Sequence, residues 1–170
     1  MVSKIATAVI SFFIGMGVIV VGLTLGVALI VNGISERKTF VIDKEWTVAV
    51  NEYRKQNNVK PVKEDYFLNT LAAAKCEDMV QKDYYSHYDP DNKRIDALAM
   101  KKYDFDMTKL GWAENIHEGA IYTSSRVVAD WYASPSHKEA MLNPDYTRVG
   151  HAACYTGHNY KMVEVFTSEY

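Results

Sequence analysis

An α+β layered domain is the fold class predicted by three observations on this chain of 170 residues. Helical periodicities come first in its polar part, two alternating stretches close it, and no internal repeat or low-complexity tract interrupts the order.

Asp43 is placed to cap a first helix, in which Trp46, Ala49, Val50 and Tyr53 recur at i, i+3, i+4 and i+7. The pattern fades at Gln56-Asn57-Asn58, and Pro61 interrupts it. A second helix is predicted over 64–82, with Leu68, Leu71, Ala72, Cys76 and Met79 on its inner face. The stretch 83–93, DYYSHYDPDNK, reads as an aromatic, turn-rich loop, followed by a helix over 94–103. Asp89 and Asp91 suggest a calcium loop, but its sixth position is Arg94 instead of Gly and its twelfth is Met100 instead of Glu. They read as solvated turn acids.

Residues 124–134 predict a helix that buries Val127, Val128 and Trp131. Ser134 suits an N-cap and Pro135 the first helical position, which makes His137 the third residue of a short helix ending before Pro144. The positive helix end disfavours imidazolium, so His137 is expected to be neutral and able to accept a proton or a metal. Finally 148–155 and 160–167 predict two strands joined by Thr156-Gly157-His158-Asn159. In the second strand Val163, Val165 and Thr167 alternate with Met162, Glu164 and Phe166.

Before this domain lies a run of 27 residues, 5–31, without a charge. As a helix it would be about 40 Å long, enough to cross the ~30 Å hydrocarbon core of a bilayer when tilted. The organisation read from the sequence is therefore an N-terminal flank at 1–4, a transmembrane helix at 5–31, a linker at 32–41 and a domain at 42–170. Within a helical span Gly15, Gly22 and Gly26 would share one face, and such a stripe suits a homodimer in the membrane. Flanking charge does not decide the orientation: Lys4 precedes the run and Arg37 and Lys38 follow it.

Residues 32–170 carry all 21 acidic residues and 18 of the 19 basic ones, with no basic cluster beyond Arg37-Lys38. Nucleic acid is excluded as an expected partner. Cys76 and Cys154 are too few for a disulfide scaffold or a structural zinc site, and whether they pair is open. Cys76, on a helix's inner face, reads as buried rather than nucleophilic. The five histidines contain no HExxH spacing, and no CxxC is present. Glu114-x-x-His117 has the spacing of a helical metal pair, but Gly111 and Gly119 on either side argue against a helix there. His87, Glu114 and His137 would make a two-histidine, one-carboxylate set if the fold assembles them.

Taken in order, VNEYRKQNNVKPV, LNTLAAAKCEDMVQKDYYSHYDP, WAENI and VVADWYASPSHKEAMLNPDYTRVG resemble the SCP domain of the CAP superfamily, which comprises cysteine-rich secretory, antigen-five and pathogenesis-related proteins. The likeness is to the short bacterial form and covers Trp46 to Phe166. It implies a three-layer α-β-α sandwich with a central antiparallel sheet and a cleft lined by two His and two acidic residues, of which His87, Glu114 and His137 match three. His87 and His137 are the residues that would hold a divalent metal such as zinc. The chain departs from the eukaryotic pattern, whose acid three residues after the helix tryptophan falls here on Ser134.

The uncharged run and the resemblance together give, as the first reading, a membrane-anchored, extracytoplasmic module that binds without chemical turnover and takes a lipid, an envelope component or a protein partner in the His87, Glu114, His137 cleft. Tyr84, Tyr85 and Tyr88 offer either an apolar or sugar-stacking surface beside it or an ordinary edge of the core. The alternatives are a metal-dependent hydrolase with Glu114 polarising water, and a purely structural or adhesive module.

Overall fold

The computed structural model describes residues 43–120 and 122–170 in full, and the backbone of three strands before them. The chain divides into two compact units, Met1–Arg37 and Lys38–Tyr170.

In the first unit, β1 (Val18–Leu23) and β2 (Gly26–Val31) form an antiparallel hairpin, in register from Val18 opposite Val31 to Leu23 opposite Gly26. This corrects the expectation of one helix through 5–31. No helix among the described residues is long and apolar enough to cross a membrane. The segments VIVVGL and GVALIV are rich in β-branched residues, whose stiff side chains suit a pleated strand better than a helix. A run that is apolar throughout has no periodicity to separate the two states. The homodimer face read from Gly15, Gly22 and Gly26 presupposes the helix, and in the hairpin Gly22 faces Val27 and Gly26 faces Leu23. The flank 1–4, the stretch 5–17 including Gly15, and 32–39 of the linker lie outside the described residues.

The second unit begins with β3 (Phe40–Val41), read in the sequence as the end of the linker but paired antiparallel with β6. Then follow α1 (Lys44–Gln56), β4 (Lys63–Glu64), α2 (Tyr66–Gln81), α3 (Ile95–Tyr103), a 3-10 turn at Met107–Lys109, β5 (Trp112–Gly119), α4 (Ser124–Ala133), α5 (Pro135–Leu142), β6 (Arg148–Tyr155) and β7 (Tyr160–Thr167). The expected cap at Asp43 is in place, and Asp65 caps α2. Asp43 accepts from the Glu45 amide, and Asp65 from the amides of Phe67 and Leu68. Ser134 occupies the N-cap of α5, but its hydroxyl makes no capping bond.

The sheet runs β3-β6-β7-β5, with β4 parallel to β6 beside β3. Strand alternation sends Val163 and Val165 to one face and Met162 and Phe166 to the other, and both faces are covered. On the first, Leu68, Leu71, Cys76 and Met79 of α2, with Ile95 and Ala99 of α3, pack on the sheet. On the second, Trp46 and Val50 of α1, Val127, Val128 and Trp131 of α4 and Met141 of α5 do so. The result is the expected three-layer α-β-α sandwich, but its sheet is mixed and not wholly antiparallel, because β4 runs parallel to β6.

Two links fasten α2 to the sheet. Cys76 and Cys154 form a disulfide with Cα atoms 5.9 Å apart across a sequence separation of 78. A loop of that length is worth about 4.5 kcal/mol in the chain-entropy model. The Gly150 position admits the helix backbone itself, because a side chain there would meet the main chain of Leu68 and Asn69.

Candidate functional site

The strand β5, an element not predicted from the sequence, positions the site. Its alternation sends Trp112, Glu114 and Ile116 toward α2, and Ala113 and Asn115 toward α1, α4 and α5. Glu114 thus faces the loop after α2, where His87 lies. Asn115 faces α5, where His137 lies.

The His87 Nδ1 and Glu114 Oε1 atoms are 2.7 Å apart, with the carboxylate side chain fully buried and the imidazole 40% exposed. The carboxylate can only accept, so His87 donates to it from Nδ1. Glu114 Oε2 is buried with no hydrogen-bond partner. Asn115 donates from Nδ2 to the main-chain carbonyl of His137 at 3.4 Å and to Glu164 Oε2 at 3.0 Å. Glu114 therefore orients one imidazole, not both, and the His137 segment is held by the neighbouring amide.

His87, Glu114 and His137 line one cleft of about 310 Å3, together with Trp112, Ser136, Glu139 and Tyr146. The His137 imidazole is held below its ordinary pKa, first by burial and then by the nearby His87 and His117. Its neutral form is favoured, as expected, but burial is the main cause. The acid missing at Ser134 has no buried replacement in the cleft, where exposed Glu139 is the second carboxylate. Among the described residues no group of three or more His, Cys, Asp and Glu is arranged to hold a metal. The expected trio is split, because the Glu114 carboxylate sits behind His87 on Nδ1 instead of beside both imidazoles as a third ligand.

Of the three tyrosines expected to form a surface, Tyr85 and Tyr88 are exposed, and Tyr85 O–H donates to the Ile116 carbonyl. Tyr84 is turned inward, donating to Asp78 at 2.7 Å and accepting from Lys75 at 3.1 Å. The deeply buried Lys75 also donates to the His87 carbonyl at 3.1 Å. Burial lowers its pKa, and the charges of Glu114, Asp78 and Asp89 oppose that. Lys75 thus fixes the main chain of His87 from behind while its charge compensates Glu114. It lies on the apolar stripe of the second helix, where a lone charge was the signal that could have found it.

Glu164 was also legible as an interruption, a charge within an apolar strand. It is fully buried, and burial pushes its carboxyl up to about 8 against the opposing pull of the Asn115 amide and the Arg54 charge. The sign follows. Below its unfolded pKa of about 4.3 the group is protonated in both states. As pH rises to about 8 the unfolded chain ionises while the folded one holds its proton, so stability falls through that window. Glu164→Gln, which keeps an acceptor for Asn115, is expected to stabilise the chain at pH 9 by on the order of 3 kcal/mol and to change little at pH 4. Urea denaturation at the two pH values checks this, and an equal effect at both would contradict it.

The fold and site together define an α-β-α sandwich with a His/Glu cleft at the edge of its sheet. Residues 48–170 match the model of the cysteine-rich secretory protein family, CAP, and the chain belongs to that family. It is 32% identical over 108 residues to the uncharacterised protein YkwD of Bacillus subtilis, a match that covers 64% of this chain and spans 40% of that relative's length. An outer surface protein of Borrelia burgdorferi superposes with a TM-score of 0.63 at 22% identity, over 78% of this chain and 99% of that one. An extracellular SCP-domain protein of Bacillus anthracis gives 0.57 at 20% identity, over 74% and 40%. At these identities the structural likeness is one of fold.

Proposed function

We propose that the domain is a non-enzymatic binding module working outside the cytoplasm, which takes an envelope component, a lipid or a protein partner in the cleft between His87, Glu114 and His137. The observation that carries this reading is the His87–Glu114 pair at 2.7 Å. The buried carboxylate of the cleft is engaged in holding the His87 imidazole, which leaves that ring's other nitrogen for a ligand in the cleft that His137 also lines. Prearranged polar groups of this kind confer orientation and specificity on a ligand. The extracytoplasmic setting draws support from the Cys76–Cys154 disulfide, since such bonds persist in oxidising compartments. The names of the relatives, an outer surface protein and an extracellular protein, point the same way.

Two of these residues are of the type that binds a divalent metal. His87 through Nε2 and the imidazole of His137 would hold it, with Glu114 orienting His87 from behind in the arrangement common behind metal-bound histidines. Such an ion would supply Lewis acidity, and it is the requirement of the alternative reading, a hydrolase. Titration of the full chain with zinc chloride, followed by calorimetry, is expected to show one weak site that His87→Ala and His137→Ala each abolish and Glu114→Gln weakens by roughly 10–100-fold. Unchanged binding in both histidine variants would remove the metal from this cleft. Zinc-dependent turnover of ester or peptide substrates, lost in the same variants, would favour the hydrolase.

We also propose that the uncharged residues 5–31 attach the chain to a membrane. The support is the length and apolarity of the run in the sequence. The full chain is then expected to sediment with membranes and to be released by detergent but not by alkaline carbonate. Recovery in the supernatant without detergent would sink the idea.

A further inference from the structure

A second hollow, of about 340 Å3, lies between α2, the loop through Asp89 and α3. Six cationic side chains line it against four carboxylates, in a chain whose net charge is −2. Two of those carboxylates are already engaged. Asp78 receives the Tyr84 hydroxyl at 2.7 Å and Lys82 at 2.9 Å. Asp89 accepts from the amides of Asp91 and Lys93 at 2.9 and 2.8 Å and lies 3.3 Å from Lys82. Lys75 closes the hollow from within and is almost fully buried.

Lys93, Arg94, Lys101 and Lys102 are exposed around it, and among the described residues none of the four is in an ion pair. Only Glu77 and Asp91 remain to balance them. The Arg94 guanidinium is fixed, stacked 4.4 Å above the Trp112 ring, and borders both this hollow and the His87 cleft. Ala74, Ala97 and Leu98 supply an apolar lining.

We propose that this hollow is a binding site for a small organic phosphate. A single carboxylate would satisfy one of the four cations, whereas a phosphate ester brings up to two charges and several acceptor oxygens matched to a guanidinium fork and flanking ammonium groups. The apolar lining suits the carbon part of such an ester. The volume is that of a small-molecule pocket. The hollow adjoins the His87 cleft through Arg94, but the proposal does not rest on what that cleft binds.

The test is titration of the full chain with glycerol 3-phosphate, followed by tryptophan fluorescence, since Trp112 lies under Arg94. Saturable binding that weakens with salt is expected, and Lys93→Glu combined with Lys101→Glu and Lys102→Glu should weaken it at least tenfold. Lys55→Glu combined with Lys63→Glu and Lys109→Glu makes the same change in net charge elsewhere and should leave it within twofold. Dihexanoyl phosphatidic acid serves as the second probe. Tighter binding than glycerol 3-phosphate assigns the site to a lipid headgroup, and equal or weaker binding assigns it to a free phosphate ester. No saturable binding of either probe, or equal loss in the two triple variants, would overturn the proposal.

Discussion

Gly150→Ala is expected to unfold the second unit or to destabilise it by about 4 kcal/mol or more, a cost typical of severe overpacking. Gly150 lies on the face of β6 that meets the first turn of α2. A Cβ there would stand 2.2 Å from the Leu68 carbonyl carbon and 2.3 Å from the Asn69 nitrogen. Those are backbone atoms, so no side-chain rotation relieves the clash. The helix cannot retreat cheaply either. The Asp65 amide donates to the Val149 carbonyl at 2.8 Å, the His151 amide donates to Asn69 Oδ1 at 2.8 Å, and the disulfide ties the same helix to the same strand. Gly111→Ala is the control, because its nearest neighbour would be an ordinary contact at 3.6 Å. Circular dichroism and urea unfolding of both variants check the contrast. A Gly150→Ala protein melting within a few degrees of the parent would show that α2 sits less tightly on β6 than described.

Arg54→Met is expected to cost on the order of 3–5 kcal/mol and to loosen the cleft. The Arg54 side chain is fully buried and donates to four main-chain carbonyls. Its Nε reaches Lys60 at 2.7 Å, Nη1 reaches Met141 and Asn143 at 2.7 and 3.0 Å, and Nη2 reaches Tyr146 at 3.0 Å. Two of these acceptors lie at the C-terminal end of α5, the helix that carries His137. Methionine fills much of the volume and removes a buried charge, which limits the loss, but it leaves four carbonyls without their donor. The expected signature is a lower unfolding midpoint together with broadened His137 imidazole resonances and weakened zinc binding. A fall in stability with His137 unchanged would mean that α5 is held by its packing on α4 alone.

Arg54 was open to discovery in the sequence in the same way as Lys75 and Glu164. Each is a charge placed where the periodicity calls for an apolar side chain, and each proved to be fully satisfied or strongly perturbed in the core. The helices and the last two strands were legible because caps and periodicity are local, and 148–155 and 160–167 fold as read. The strand β5 was not. Its inner positions are Glu114 and Asn115, polar because they face the site, and its pairing partner β7 lies far along the chain. The strands Val18–Leu23 and Gly26–Val31 were misread as helix for the complementary reason, since uniform apolarity carries no period.

By itself the sequence determined the helices with the two closing strands, the cap at Asp43 and the three residues His87, Glu114 and His137 that belong to one cleft. Local sterics and amphipathic spacing are sufficient for the first two, and recurrent motifs in a fixed order for the third. Only the tertiary structure decided which of them touch. Neighbouring side chains on a strand point to opposite faces, so Glu114 meets His87 on one side of β5 while Asn115 reaches His137 on the other. That division depends on pairing β5 with β7, a long-range event with no local trace.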